Sequence, residues 1–184
     1  MRIVRRQERI FPALLGGREM TRREREVTEE KEILRILDEG KVLHLGLCDR
    51  EIPYVLPMNY GYTYIDGRYT FYIHGAVKGY KYELIKNNPN AAFSIEANVK
   101  PFEGELPCQY GTSYESVCAR GKAYILEDVE EKKKALSILM KTQTGKDFTF
   151  EDKMVSIVNV VRIDVTELTA KKRPLPAAMA GTEQ

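Results

Sequence analysis

His74, Gly75, Ala76, Lys78 and Lys81 lie close together in the stretch FYIHGAVKGYKYELIKNNPNAAF, residues 71–93. The stretch alternates like a strand up to His74. It then turns helical around Gly79, with a helix expected over 77–88 and ended by Asn87, Asn88 and Pro89. The unpaired N–H groups of a helix start form an anion site without help from side chains. Gly75 and Ala76 are small enough for a ligand to approach the backbone. Lys78 and Lys81, at spacing i, i+3, would share a helix face, and two ammonium groups there suit a phosphate monoester. His74, closing the strand, could donate to the same ligand. The same residues also fit an ordinary connection with a solvated basic edge and a hydrogen-bonded structural histidine. Tyr80 and Leu84 read as core residues. The Walker pattern GxxxxGK[ST] does not occur, which removes the P-loop nucleotide triphosphatases.

Two further stretches carry polar chemistry. PYVLPMNYGY, residues 53–62, is a strand-like run with two prolines. Such a strand belongs at an edge or a bulge, where free backbone groups could bond a planar polar ring while Met58 and Tyr60 contact its face. An edge strand merely protected by proline fits equally well. TSYESVCARGKA, residues 112–123, starts polar and runs into a buried strand. Tyr114 and Ser116 could bond a ligand or cap the strand, and Glu115 reads as a solvated side chain. No Ser-His-Asp order, GxSxG or HExxH supports a hydrolase.

The elements that must position these residues are legible as patterns. Thr28, followed by Glu29 and Glu30, reads as a helix N-cap; Ile33, Leu34, Ile36 and Leu37 supply an apolar face, and Gly40 a stop. KVLHLGLCD alternates, with Leu43, Leu45 and Leu47 on one side and His44, Gly46 and Cys48 on the other. Asp66 and Gly67 mark a tight hairpin with YTFYIHG as the return strand. AAFSIEANV is a strand, KPFEGELPCQYG a loop, and SYESVCARGKAYILE a strand bent at Gly121. Asp128 caps a helix over 129–143 with Ala135, Leu136, Leu139 and Met140 as its apolar face. VSIVNVVRIDVTEL is the last strand, with Val155, Ile157, Val161, Ile163 and Val165 as its apolar set. Six strands and three short helices that do not alternate as βαβ predict an α+β protein whose antiparallel sheet curls into a barrel.

The chain has 184 residues, enough for one domain with a real core. Its 29 basic and 27 acidic residues nearly balance, which argues against nucleic acid or a membrane surface as partner. Cys48, Cys108 and Cys118 form no CxxC pair, and with only two histidines beside them a metal site is not expected. An odd cysteine count without a signal peptide fits free thiols in a reducing cytoplasm. The N-terminal apolar patch IFPALLGG is short and broken by Pro12, unlike a signal peptide. No apolar run approaches the ~20 residues that span a bilayer. The domain proper is expected over residues 20–173, with 1–19 as an extension or packing arm and 174–184 as a tail.

Taken together, PYVLPMNYGY, then IHGAVKGYK with its following NNP, then ESVCARGKA, in this order and at these distances, resemble the pyridoxamine 5′-phosphate oxidase-related flavoproteins. Within them, the sequence is similar to the nitroimidazole-resistance (Nim-type) branch. The resemblance runs from about Met20 to about Arg173. It implies a six-stranded split β-barrel and a homodimer with flavin at the subunit interface. FMN is the usual cofactor, and FAD occurs in some relatives. It further implies that the backbone of Pro57, Met58, Asn59 and Tyr60 lies along the isoalloxazine ring. Ile73, His74, Gly75 and Ala76 would line the ribityl and phosphate end, with Lys78 and Lys81 holding the phosphate. Tyr114, Ser116 and Val117 would approach the flavin, either within the chain or from the partner subunit. His74 matches a histidine near the Nim-type active site, which makes it the expected catalytic or substrate contact.

True pyridoxamine phosphate oxidases resemble one another in a C-terminal motif with Trp and Arg. This chain has no Trp and ends in KKRPLPAAMAGTEQ, so vitamin B6 oxidation is disfavoured. The resemblance implies a flavin-dependent oxidoreductase that passes electrons from NAD(P)H to nitroimidazole-like or other small organic acceptors. The alternative is a non-catalytic flavin or haem carrier or sensor, with His44 and His74 as the histidine candidates for an axial ligand. A dimeric barrel with a vestigial site is the third reading.

Overall fold

A computed structural model describes residues 22–176. The alternating runs form seven strands: β1 (Glu26–Val27), β2 (Val42–Asp49), β3 (Ile52–Ile65), β4 (Arg68–Ala76), β5 (Asn90–Phe102), β6 (Gly111–Ile125) and β7 (Val158–Arg173). They make one antiparallel sheet in the order β1-β7-β4-β3-β2-β5-β6, and β6 pairs back onto β7 to close a ring. The α+β class and the antiparallel barrel are as expected. The strand count is seven rather than six because Glu26 and Val27 pair with Lys171 and Ala170 near the end of β7. Two residues leave no periodic signal to read in a sequence.

Alternation sends one set of side chains inward along each strand. Leu43, Leu45 and Leu47 of β2, Phe71 and Ile73 of β4, Phe93 and Ile95 of β5, and Ile163 of β7 fill the barrel. The β3–β4 hairpin closes with Ile65 opposite Arg68, and Asp66 and Gly67 both take positive φ, 50° and 78°. That is the two-residue turn whose twist matches the strands it joins.

Helix α1 (Glu30–Glu39) plugs one end of the barrel with Ile36 and Leu37. It begins after Glu29 rather than Thr28, and no side chain caps it. Its C-terminal end lies directly on the core: a Cβ on Gly40 would stand 2.4 Å from Ile95 Cγ2. The buried Tyr60 hydroxyl sits 2.6 Å from the Leu37 carbonyl and 2.9 Å from that of Gly40, satisfying a helix end that water cannot reach.

Helix α2 (Tyr80–Asn87) follows β4, and α3 (Val129–Thr144) and the short α4 (Asp152–Val155) precede β7. Asp128 caps α3 as predicted, its carboxylate accepting from the Glu131 N–H at 2.8 Å. Leu136, Val155 and Val160 form a second apolar cluster that Tyr72 joins from the outer face of β4. A Cβ on Gly61 would stand 2.3 Å from Leu139 Cα, so α3 packs backbone to backbone on β3.

Other expectations shift. β5 extends to Phe102 through the segment expected as a loop, by way of a bulge between Ala97 and Lys100 where Asn98 has φ 53°. The last strand starts at Val158, so Val155 belongs to α4 and Ile157 is exposed. The bend expected at Gly121 is a register shift against β7, where a Cβ would meet the Asp164 carbonyl at 2.2 Å. The proposed arm, residues 1–19, lies outside the described residues. Among the described residues no helix is long and apolar enough to cross a membrane.

Candidate functional site

The barrel is split between β3 and β4. Residues 52–59 of β3 pair with β2, and residues 60–65 pair with β4. Beyond the Tyr60–Ile73 pair the hairpin unzips: His74, Gly75 and Ala76 pair only with β7. Two strand edges therefore face a fork, residues 57–59 on one side and 74–76 on the other. β3 is central in the strand order, yet the half that holds Pro53 and Pro57 has a free edge. The proline signal is right for that half only.

Two independent features fix which backbone groups point into the fork. The closing pair of a two-residue hairpin, Ile65–Arg68, exchanges both hydrogen bonds, and bonded pairs recur every second residue. After Thr63–Thr70 and Gly61–Tyr72, the next bonded pair would be Asn59–His74, which the split leaves unpaired. Pro53 and Pro57 have the same parity as Asn59, as they must, since a proline cannot donate to β2. Backbone groups of Pro57, Asn59, His74 and Ala76 thus line the fork.

The side chains there divide. Tyr60 and Ile73 are buried in the core, and the Tyr60 carbonyl accepts from Gln143 Nε2 at 2.7 Å. Met58 packs partly against the core. The Asn59 amide donates to the Lys41 carbonyl at 3.1 Å. His74 projects from the face of β4 that also carries Tyr72, opposite to Ile73.

Helix α2 begins at Tyr80, not at 77. The Asn159 amide donates to the Val77 carbonyl at 2.7 Å and holds the chain open before the helix. Lys78 therefore precedes the helix and does not share a helix face with Lys81. Tyr80 is exposed rather than core, its hydroxyl donating to Asp49 Oδ2 at 2.5 Å, while Leu84 is buried as expected.

Lys81 and Tyr82 meet at Gly75. A Cβ there would stand 2.8 Å from Lys81 Nζ and 2.9 Å from the Tyr82 hydroxyl. Tyr82 is 5% exposed and its hydroxyl has no hydrogen-bond partner among the described residues. Lys81 Nζ lies 4.5 Å from the centre of the Tyr82 ring. No carboxylate among the described residues pairs with it, and burial pushes its pKa down. His74 Nδ1 is also buried without a partner among the described residues, and burial together with the nearby Lys81 charge holds the imidazole pKa below its usual value. Buried polar groups are normally bonded, since each orphan costs ~1–3 kcal/mol. An orphan hydroxyl and an unneutralised ammonium around a glycine gap suit an anionic group with several acceptor oxygens.

The third stretch lies elsewhere. Tyr114 and Ser116 point outward from β6, while Val117 is fully buried and could offer only its backbone. On β7, residues 114–117 of β6 pair near Ala170 to Arg173, whereas residues 74–76 pair near Val158 to Val160. About a dozen residues of strand separate them, roughly 40 Å of contour at ~3.3 Å per residue. One chain does not bring Tyr114 and Ser116 to the fork.

Glu115 is buried, not solvated. Its carboxylate accepts from Arg35 at 2.6 Å and Asn98 at 2.8 Å and pairs with Lys172 at 2.8 Å. Burial alone would raise its pKa, but these partners bring it down to about 2. Among the described residues no His, Cys, Asp and Glu cluster could hold a metal ion. The described cysteines are free and exposed. Tyr82 and Glu115 are the residues that sequence patterns miss. Only their contacts distinguish them from an ordinary aromatic and an ordinary surface acid.

A closed antiparallel ring with one unzipped hairpin is a split β-barrel. The chain belongs to the pyridoxamine 5′-phosphate oxidase family, whose model matches residues 29–172. A candidate 5-nitroimidazole antibiotic resistance protein from Bacteroides thetaiotaomicron is 32% identical, covering 80% of this chain and 86% of that chain, with a TM-score of 0.68. A flavocytochrome from Azotobacter vinelandii (16% identity, 85% of this chain, 73% of that chain, TM-score 0.69) shares the fold. So does a FAD- and heme-binding protein from Mycobacterium smegmatis (16% identity, 84% of this chain, 77% of that chain, TM-score 0.68). No curated protein matches the sequence.

Proposed function

We propose that this chain is a flavin-dependent oxidoreductase that takes electrons from NAD(P)H and passes them to a small organic acceptor of the nitroimidazole kind. The observation that carries the reading is the Gly75 corner, where, among the described residues, the buried Tyr82 hydroxyl finds no partner and Lys81 no carboxylate. Both groups would bond the flavin phosphate, with Lys78 approaching from solvent. FMN and FAD both carry that phosphate.

The bound flavin supplies the redox chemistry. The chain supplies position and charge. The free edges at Asn59 and His74 would bond the polar rim of the ring and fix its orientation. His74, half-buried beside the fork, would exchange a proton with the acceptor through its imidazole, a role typically worth ~10²–10⁴ in rate. The proton it holds would go to the charge that develops on the acceptor, and burial together with the nearby Lys81 charge makes the imidazolium the readier to give it up. A homodimer with flavin at the interface would let Tyr114 and Ser116 of a second copy reach the ring. The outer face of β2, β5 and β6, where Gly46, Ala92 and Ser94 line a depression of about 430 Å³, would be the face presented to such a copy. The likeness to the Bacteroides thetaiotaomicron protein supports the acceptor class.

The test is the absorbance spectrum of the purified protein, followed by stopped-flow reduction with NADPH and reoxidation by a nitroimidazole. A flavin spectrum and acceptor-dependent reoxidation above the oxygen background are expected. A colourless protein that takes up neither FMN nor FAD would sink the reading, and a Soret band would move it to a haem binder.

A further inference from the structure

Tyr60 is where β3 changes partner: the strand pairs with β2 up to Asn59 and with β4 from Tyr60 on. Backbone groups of Tyr60 and Tyr62 point away from β4, toward the side that β2 has by then left. The C-terminal end of α3 takes its place. The Tyr62 N–H donates to Thr142 Oγ1 at 3.4 Å, and Gln143 Nε2 donates to the Tyr60 carbonyl at 2.7 Å. The same Nε2 donates to the Lys41 carbonyl at 3.2 Å, and Gln143 Oε1 accepts from the Asn59 side-chain amide at 3.4 Å. Gly61, with no Cβ to hold Leu139 off, allows the helix this close. Lys41 pins the same helix end, its ammonium donating to the Thr142 carbonyl at 3.1 Å, where the helix dipole also favours a cation.

A side-chain amide both donates and accepts. Gln143 uses both ends, and so ties together the residue before β2, the last β3 residue paired with β2 and the first paired with β4. Asn59 is also the residue whose backbone groups face the fork, while Gln143 lies on the opposite edge of β3. An ordinary strand residue is held by neighbours on both sides. Asn59 has β2 on one side and the fork on the other, so the junction needs a third element to fix it. Groups that orient a ligand must be held to about 0.5 Å, and the hydrogen bonds behind them do the holding. We propose that Gln143 is a positioning residue of the flavin site: it acts through Asn59 and Tyr60 to hold the Asn59 backbone in the orientation that bonds the polar rim of the isoalloxazine ring. The proposal rests on the flavin reading given above.

The experiment titrates full-chain apoprotein at pH 8 with FMN and with riboflavin, which has the same ring and no phosphate. Flavin fluorescence reads binding to the natural sequence, Gln143→Met and Gln143→Glu. Methionine keeps the length and loses every hydrogen bond; an ionised glutamate keeps the acceptor and loses the donor that the Tyr60 carbonyl takes up. Both variants should bind FMN and riboflavin about tenfold more weakly, by the same factor for each, because the loss is at the ring. Lys81→Met, at the phosphate end, should weaken FMN alone. The visible circular dichroism of bound FMN should change in the Gln143 variants. Affinities within about twofold of the natural protein overturn the proposal and leave the flavin site intact, as does a loss confined to FMN. A Gln143 that only stabilises the fold would lower the melting temperature without moving the spectrum, and that result also overturns it. A natural protein that binds neither flavin overturns the flavin reading, and this proposal with it.

Discussion

The Tyr82 hydroxyl and the Lys81 ammonium converge on one backbone position, 2.9 and 2.8 Å from where a Cβ on Gly75 would stand. The hydroxyl is buried and unbonded, a state that costs ~1–3 kcal/mol. Tyr82→Phe should therefore stabilise the apoprotein, by about 1 kcal/mol in urea unfolding, while weakening flavin binding about tenfold. A variant less stable than the parent, with unchanged flavin affinity, would show the hydroxyl to be structural.

Lys81 lies close enough to His74 to lower its pKa, after the larger effect of burial. Lys81→Met removes the charge and keeps the packing over Tyr82, so the imidazole pKa should rise in the apoprotein. The chain has only two histidines, and NMR titration with a His44→Asn variant assigns the resonances. An unmoved or lower His74 pKa would separate the two side chains electrostatically.

Glu115 ties α1, the β5 bulge, β6 and β7 together through Arg35, Asn98 and Lys172. Its folded pKa of about 2 lies below the reference 4.5, so its stabilisation is present above about pH 4.5 and lost as pH falls through about 2. At ~1.4 kcal/mol per unit this amounts to about 3 kcal/mol. Glu115→Gln should be less stable than the parent at pH 7, and the gap should shrink toward pH 2. Urea denaturation at pH 7 and pH 3 measures it; a gap that does not change with pH would contradict the linkage.

Gly61 lets α3 touch β3, since a Cβ would lie 2.3 Å from Leu139 Cα. The obstacle is helix backbone, which cannot swing aside as a side chain could. Gly61→Ala should cost about 1–3 kcal/mol, with the loss of unfolding free energy read by circular dichroism. A neutral effect would mean that α3 slides without loss of packing.

Several elements are legible because their signals are local. Asp66-Gly67 fixes a two-residue turn, the leucines of β2 alternate, and Asp128 bonds a helix N–H three residues on. Others are decided by distant partners. Asn159 delays the start of α2, and Lys171 and Ala170 make a strand of Glu26 and Val27. Glu115 changes from a surface acid to a buried one because Arg35 and Lys172 arrive from other elements. The expected pairing of Lys78 and Lys81 on one helix face fails for the same reason, with Tyr82 standing where Lys78 was expected.

By itself the sequence determined the residue types of a candidate anion site, the edge character of the proline-bearing half of β3 and the class of the fold, since propensity, periodicity and turn chemistry act over a few residues. Tertiary structure alone decided that the hairpin splits below Tyr60 and Ile73, and that Lys81 and Tyr82 close on Gly75. Those are long-range outcomes: two strand edges are left free because β2 and β7 claim their partners, and a buried hydroxyl becomes an orphan only once the barrel has closed around it.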